Sequence, residues 1–170
     1  MRNIFVKSAT FLLAVFILIS CAGAQKSADG QNANLSVAAA HTDFADVQNK
    51  DWSLNGLRIN GENSGFNRNN LAEVFKDVFT IHFDAERISG IGAPNRYFAP
   101  YTLGNDNALT ISTIAGTLMA AFAEPEHLKE HEYFSLLQNV SRWDLADGNL
   151  LLYSVNKDNA EVVMIFSDKS

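Results

Sequence analysis

The sequence predicts an α+β domain in which short antiparallel strands are accompanied by one main helix. From residue 51 onward, segments with apolar residues at alternate positions recur, and turn pairs such as Asn60-Gly61 and Asp147-Gly148 follow them. One segment, after Glu124-Pro125-Glu126, has apolar residues at helical spacing instead. The composition of 47% apolar and 19% charged residues is that of a globular domain, which excludes a disordered or collagen-like chain.

The predicted elements begin with a strand over residues 52–59, which ends at the Asn60-Gly61 turn. A short helix is expected within residues 66–76, because Leu71, Val74, Phe75 and Val78 follow a helical spacing. The strands expected next are 79–83, a strand that begins near Arg87, 97–103, 108–114 and 117–122.

The main helix is predicted to begin at Glu124-Pro125-Glu126. Proline suits a first helical position because its missing N–H would be unpaired there, and glutamates favour the positive end of the helix dipole. Tyr133, Leu136, Leu137 and Val140 then form the apolar stripe that would face a sheet. Strands over residues 141–145, 149–155 and 162–166 complete the domain.

The N-terminal residues read as a targeting signal. Residues 1–20 contain the basic Arg2 and Lys7 followed by an apolar run that is too short to span a bilayer, which is typical of a secretory signal peptide. Leu18-Ile19-Ser20-Cys21 resembles a bacterial lipobox, and Cys21 is the single cysteine of the chain. We therefore expect Cys21 to become the lipidated N-terminus, because its thiol can accept a diacylglyceryl group.

The segment after the cysteine is expected to be a flexible tether. Residues 21–50 are small and polar without a sustained period, and residues 51–170 are assigned to the folded domain. Phe44 and Val47 could form a short helix against that domain. Ala22 follows Cys21 in place of the aspartate that retains some lipoproteins in the inner membrane, which favours the outer membrane, facing the periplasm.

The charge argues against nucleic acid as a partner. The chain carries 13 basic and 19 acidic residues, a net charge of -6, whereas phosphate binding requires a basic face. Loss of Arg2 and Lys7 with the signal would leave 11 basic residues and a net charge of -8. We therefore expect the attraction to a membrane to come from the lipid anchor rather than from protein charge.

The segment around residues 90–97 is the candidate binding or structural loop. Gly90, Gly92 and Pro94 permit a tight bend, and Asn95 can hydrogen-bond to neighbouring backbone. We favour a structural role for this bend. The alternative is a binding loop that displays Asn95, Arg96 and Tyr97.

No catalytic, metal-binding or cofactor-binding residues are predicted. His127 and His131 have the spacing of metal ligands on a helix, but Leu128 stands where a zinc protease needs its glutamate. The neighbouring carboxylates are interpreted as a solvated acidic helix face: Glu124, Glu126, Glu130 and Glu132. The sequence also lacks the nucleophile elbow and phosphate-loop patterns, and His82 is expected to point outward from its strand.

The order of segments resembles the META domain, the family that includes the heat-shock protein HslJ. The matching pieces, which span residues 51–167, are Trp52-Ser53-Leu54, residues 90–97 with Tyr101, residues 117–121, residues 132–137, Trp143-Asp144-Leu145 and residues 148–152. The family commonly has cysteines where this chain has Pro94 and Ala121, so the resemblance implies a cysteine pair that is absent here. It also implies a barrel-like antiparallel sheet with a packed helix, and it implies no activity.

We expect a non-enzymatic, lipid-anchored envelope protein with an interaction or envelope-stress role and an envelope protein as its partner. The alternative is a binding module that holds a small apolar ligand or peptide in a barrel mouth or groove. A barrel interior filled by Phe and Leu favours the first, whereas a pocket of several hundred Å³ with a few polar groups favours the second.

Overall fold

The computed structural model describes residues 43–169. Its ten strands and one α-helix are, in chain order, β1 Asp51–Ile59, β2 Glu62–Asn67, β3 Thr80–Phe83, β4 Arg87–Ile91, β5 Arg96–Leu103, β6 Leu109–Ile111, β7 Ala115–Gly116, α1 Glu130–Gln138, β8 Arg142–Ala146, β9 Asn149–Val155 and β10 Glu161–Asp168. Three short 3-10 helices cover Phe44–Asp46, Arg68–Asn70 and Glu73–Phe75.

The strands form one antiparallel sheet in the order β6-β5-β4-β3-β1-β10-β9-β8, with β2 beside β1 and β7 beside β5. The two ends of this sheet approach each other, because Ala108 forms a bridge with Arg142 and the Leu109 amide donates to the Ser141 carbonyl at 3.1 Å. The sheet is therefore a nearly closed barrel. The predicted α+β class, the barrel-like antiparallel sheet and the single packed helix are confirmed.

The barrel interior is filled by large side chains. Alternate residues of the strands point inward, as in β5, where Tyr97, Ala99 and Tyr101 are buried. The largest fully buried side chains are Trp52, Phe79, Phe83, Tyr133 and Phe166. The helix α1 contributes Tyr133, Leu136 and Leu137 to the same core, as the apolar stripe predicts.

The helix predicted within residues 66–76 is wrong. The segment instead contains a 3-10 turn at Glu73–Phe75, and Val74 is 77% exposed. The side chain of Arg68 holds the end of the segment against β1, because it donates to the carbonyl oxygens of Leu54, Lys76 and Val78 at 2.6–2.7 Å. Burial of Arg68 lowers the pKa of its guanidinium below its ordinary value.

The segment between β7 and α1 also differs from expectation. The predicted strand over residues 117–122 is wrong, since only Ala115–Gly116 pairs with β5. The helix begins at Glu130 rather than Glu124, because His127 has a φ of 65° that an α-helix cannot contain. Lys129 precedes the first turn, and the Glu132 side chain accepts its backbone N–H at 2.9 Å.

The folded domain begins before residue 51, so the expected tether is too long at its C-terminal end. Phe44 lies in a 3-10 helix and its ring contacts Phe83, Tyr101 and Trp143. The carbonyl of the buried Val47 accepts the indole N–H of Trp52 at 2.9 Å. Cys21, the signal peptide over residues 1–20 and the remainder of the tether lie outside the described residues.

Candidate functional site

The bend between β4 and β5 is held against α1 by one carboxylate. Oε1 of Glu130 accepts the backbone N–H groups of Ala93 and Asn95 at 2.6 and 2.7 Å. Its Oε2 accepts the side-chain amide of Asn95 at 2.7 Å. The prediction that Glu130 belongs to a solvated acidic face is therefore wrong, because this carboxylate is half-buried and receives three hydrogen bonds.

Asn95 links the same bend to the segment after β7. Its Oδ1 accepts the Thr117 hydroxyl at 2.8 Å and the Met119 backbone N–H at 2.7 Å. Its Nδ2 donates to the Met119 carbonyl at 3.3 Å in addition to Glu130. The side chain is only 7% exposed, and it uses both donor hydrogens and two acceptor positions within the protein. We call Glu130, Asn95, Thr117 and Met119 the Glu130–Asn95 network.

The side chains of the three candidate loop residues lie in three different environments. Asn95 points into the network, Arg96 is exposed, and Tyr97 is buried in the core. Within residues 43–169, Arg96 has no ion pair, although its backbone N–H donates to Thr117 Oγ1 at 3.2 Å. These positions therefore do not form a binding loop that displays all three side chains. Asn95 instead has a structural role in the network.

Two buried tyrosines meet at one backbone carbonyl beneath the bend. The hydroxyls of Tyr97 and Tyr133 donate to the Thr80 carbonyl at 2.8 and 3.1 Å, and they lie 3.0 Å from each other. Burial raises the pKa of Tyr97 well above its ordinary value, and burial likewise raises the pKa of Tyr133. Both hydroxyls therefore stay protonated at neutral pH and cannot serve as bases.

Gly90 permits this arrangement. It pairs with Tyr97 across β4 and β5, and a Cβ at this position would lie far inside contact distance of the Thr80 carbonyl oxygen. The same Cβ would lie 2.9 Å from the Tyr97 ring. The glycine predicted to permit a bend is therefore required by the close approach of β3 rather than by its own backbone angles.

A cleft of about 310 Å³ lies between α1 and the loop that joins β9 to β10. Its apolar lining consists of four buried side chains, Leu57, Leu128, Leu136 and Val162, and the more exposed Ile59. Charged and polar groups, among them His131, Glu132, Lys157 and Asp158, line the remainder. This combination of an apolar lining and a few polar groups is typical of small-molecule sites, at the lower end of their usual size range.

Both histidines considered as metal ligands line this cleft, but they do not share a helical turn. His127 precedes the helix with its positive φ, whereas His131 is the second residue of α1. Within the described range 43–169, no group of three or more His, Cys, Asp and Glu side chains could hold a metal ion. The third histidine of the domain, His82, lies 2.9 Å from Asp51 Oδ1.

Sequence reasoning missed Glu130 and Thr80 as the residues around which the polar contacts are organised. A signal for Glu130 was present, since it lies three residues before Tyr133 and seven before Leu137 and therefore on the apolar stripe. Thr80 acts through its carbonyl, for which the sequence contains no signal.

A sequence model of the META domain matches residues 45–169. The chain belongs to the META domain family. Among solved structures, the NMR structure of a protein from Burkholderia xenovorans is similar, with 19% identity and a TM-score of 0.52. The similarity covers 73% of this chain and 84% of that one, and it concerns the fold alone. No curated protein sequence matches the chain.

The extent of the match agrees with the start of the folded region seen here. The META domain includes Val47 and the contacts that precede β1, and it ends at Lys169, whose amide donates to the Asp51 carbonyl at 2.8 Å. In this META domain the Asn95 side chain, next to Pro94, hydrogen-bonds to the backbone of Met119, two residues before Ala121, where the resemblance implied the second cysteine.

Proposed function

We propose that this META-domain protein is a lipoprotein of the bacterial cell envelope, anchored through Cys21 and acting by interaction rather than catalysis. The single observation that carries the anchor is the position of Cys21, the chain's one cysteine, directly after an apolar signal and the small Ser20. Among residues 43–169, no helix is long and apolar enough to cross a bilayer. We place the protein on the outer membrane, facing the periplasm, with an interaction or envelope-stress role.

The polar contacts of the domain support a non-catalytic role. The side chains that converge at the bend use their hydrogen-bonding capacity on each other, and the two tyrosines beneath them are protonated at neutral pH. A catalytic group needs a free donor, acceptor or pair of electrons that faces the substrate. The network thus fits a structural link between the bend, β7 and α1.

Detergent-phase partitioning tests the anchor. The wild-type protein is expected in the detergent phase, whereas Cys21→Ser yields unprocessed or released protein that lacks the added lipid. Ser20→Ala is the matched control, because it keeps a small residue before the cysteine and should partition as the wild type does. Equal partitioning of Cys21→Ser and wild type, without a mass difference, would remove the lipoprotein proposal.

The cleft beside α1 favours a second candidate function, the binding of a small apolar ligand or peptide. This site lies outside the filled barrel, and its buried leucines and valine could cover a short alkyl chain while Lys157 or His131 contacts a carboxylate. The proposal therefore places the ligand in a groove and not in the barrel interior.

A thermal-shift assay with hydrophobic dipeptides and short-chain carboxylic acids tests this candidate. We expect a ligand that raises the midpoint temperature of the wild type to have no effect on Ser135→Tyr, in which the new ring fills the cleft. Gln138→Tyr places the same ring on an exposed position of α1 that does not line the cleft, so its shift should match the wild type. Equal shifts in all three proteins would exclude the cleft as the site.

A further inference from the structure

The segment 117–123 exposes an unusual amount of apolar surface. Its sequence, Thr-Leu-Met-Ala-Ala-Phe-Ala, contains no charged residue. Leu118 and Phe122 are 100% and 105% exposed, and Met119 is 60% exposed. Values near 100% mean that no neighbouring residue covers these side chains, so they protrude from the domain. Single exposed apolar residues are common on proteins, but a cluster within one segment marks an interaction site.

The backbone at the start of this segment is held in place. The Thr117 amide donates to the Arg96 carbonyl at 3.0 Å, and the Met119 amide and carbonyl both bond to the Asn95 side chain. After the segment, Pro125 is buried and Glu124 forms an ion pair with Lys129 at 3.1 Å. Leu118 and Met119 are thus presented by a fixed backbone, which lowers the entropy cost of using them to bind.

A cation and an aromatic ring lie beside the segment. Arg96 and Phe98 occupy alternate positions on the outward face of β5, and Phe98 pairs with Ala115 in β7, directly before the segment. Arg87 and Lys169, which line the same shallow depression as Arg96, form ion pairs with Asp84 and Asp77. Arg96 has no such partner within residues 43–169, although the chain as a whole is acidic.

Protruding uncharged side chains with an adjacent guanidinium match the chemistry of a lipid bilayer surface. Apolar side chains enter the boundary between headgroups and acyl chains, and a cation beside them meets the lipid phosphates. A protein partner would have to supply a pocket shaped for each protruding side chain, whereas a bilayer accepts them without one. Residues 22–42 separate Cys21 from Asp43, and these 21 residues span at most about 75 Å when fully extended.

We propose that the segment 117–123 inserts Leu118, Met119 and Phe122 into the boundary between headgroups and acyl chains of the membrane surface that the domain faces, with Arg96 contacting lipid phosphate. This inference rests on the proposed anchor, which brings the domain to the bilayer. The insertion would fix one orientation of the META domain on the surface. A domain attached only through the segment before residue 43 would have no fixed orientation.

Tryptophan quenching in vesicles tests the insertion. The full lipidated chain is reconstituted into phosphatidylglycerol–phosphatidylethanolamine vesicles, with Leu118→Trp as the probe and lipids brominated in their acyl chains as the quencher. The control is Val74→Trp, an exposed apolar position on a different part of the surface. Insertion roughly 5–10 Å below the headgroups predicts at least about twofold stronger quenching, with a blue-shifted emission, for Leu118→Trp. Adding Arg96→Gln to the probe should weaken the quenching, and should do so more in anionic vesicles than in phosphatidylcholine vesicles, whose phosphate is balanced by the choline cation.

The outcomes separate this inference from the proposed function. Chains that float with the vesicles but show equal quenching of Leu118→Trp and Val74→Trp keep the anchor and overturn the insertion. Chains that fail to float with the vesicles overturn both. Because Leu118 and Val74 are exposed, neither substitution disturbs the core, and an unchanged midpoint temperature confirms that each variant is folded.

Discussion

Glu130 and Asn95 are joined twice, once through the Asn95 backbone amide and once through its side-chain amide, each at 2.7 Å from a carboxylate oxygen. The two residues stand 35 positions apart in the chain. One acidic side chain therefore fixes both the direction of the bend after β4 and the orientation of the amide that positions Met119.

Exchanging the acid and the amide tests this relationship. Asn95→Asp places a carboxylate oxygen against the carboxylate of Glu130. This should lower the free energy of unfolding by about 3 kcal/mol. Glu130→Gln places the new side-chain amide against the Asn95 side-chain amide, and it should lower the free energy of unfolding by about 1–2 kcal/mol. The double variant again pairs a donor with an acceptor, so we expect urea unfolding to show a loss smaller than the sum. The exposed Glu126→Gln should be neutral, and additive losses in the double variant would contradict the pairing.

Phe44 should behave as a core residue although it precedes the predicted domain boundary. Phe44→Ala removes a buried ring that contacts three aromatic side chains, so it should lower the free energy of unfolding by about 3–5 kcal/mol. Val74→Ala removes an exposed side chain and should change it by less than about 0.5 kcal/mol. Urea unfolding measures the free energy of unfolding of both variants. Equal losses would show that Phe44 belongs to the tether and not to the folded core.

The tyrosine pair should make the domain sensitive to alkali. Tyrosines in the unfolded chain ionise near a pKa of about 10, whereas burial raises the folded pKa of Tyr97 and Tyr133 above that value. Above pH ~10 the unfolded state binds fewer protons than the folded state, so stability is present below this pH and falls as the pH rises. The slope is at most about 1.4 kcal/mol per pH unit for each tyrosine.

Urea unfolding between about pH 9 and 11 measures this slope. In the double variant Tyr97→Phe/Tyr133→Phe the free energy of unfolding should fall less steeply with pH than in the wild type. The variant also loses two hydrogen bonds to the Thr80 carbonyl, which lowers its stability at neutral pH. An undiminished slope would show that other groups are responsible for the alkaline sensitivity.

Gly90 and Gly56 form a matched pair of strand glycines. Gly90→Ala brings a methyl group against the Thr80 carbonyl and the Tyr97 ring, so β3 and β4 must separate, at a cost of about 2–3 kcal/mol. Gly56→Ala meets nothing within 4 Å and should be neutral or stabilising by up to about 1 kcal/mol. Near-UV circular dichroism should report a changed tyrosine environment only for Gly90→Ala. Similar effects of the two changes would show that Gly90 is not needed for close approach.

The longer strands β1, β5, β9 and β10 could be predicted because each has buried residues at alternate positions over part of its length, whereas β2, with one buried residue, was not expected. Alternation alone places Tyr97, Ala99 and Tyr101 on the same side of β5, and the periodicity of Tyr133, Leu136 and Leu137 gives the buried face of α1. These patterns depend only on residues that are close together in the sequence.

The segments that could not be predicted depend on partners far away in the chain. Residues 117–122 have a strand-like composition, but the chain leaves the sheet after Gly116. The backbone of Met119 then hydrogen-bonds to the Asn95 side chain instead of to a neighbouring strand. The chain after the turn near Glu73 is held by Arg68, which donates to the carbonyls of Lys76 and Val78 and to that of Leu54 in β1. Local propensity cannot reveal such contacts, because the side chain that makes each one lies in another element.

The first strand of the barrel pairs with the last, from Trp52 with Asp168 to Ile59 with Val162. During synthesis the centre of the sheet therefore stays open until residues 161–168 have emerged, and folding is completed only at the end of the chain. A chain that stops before Glu161 would leave the hydrogen-bonding edges of β1 and β9 unpaired, and such edges pair with other chains.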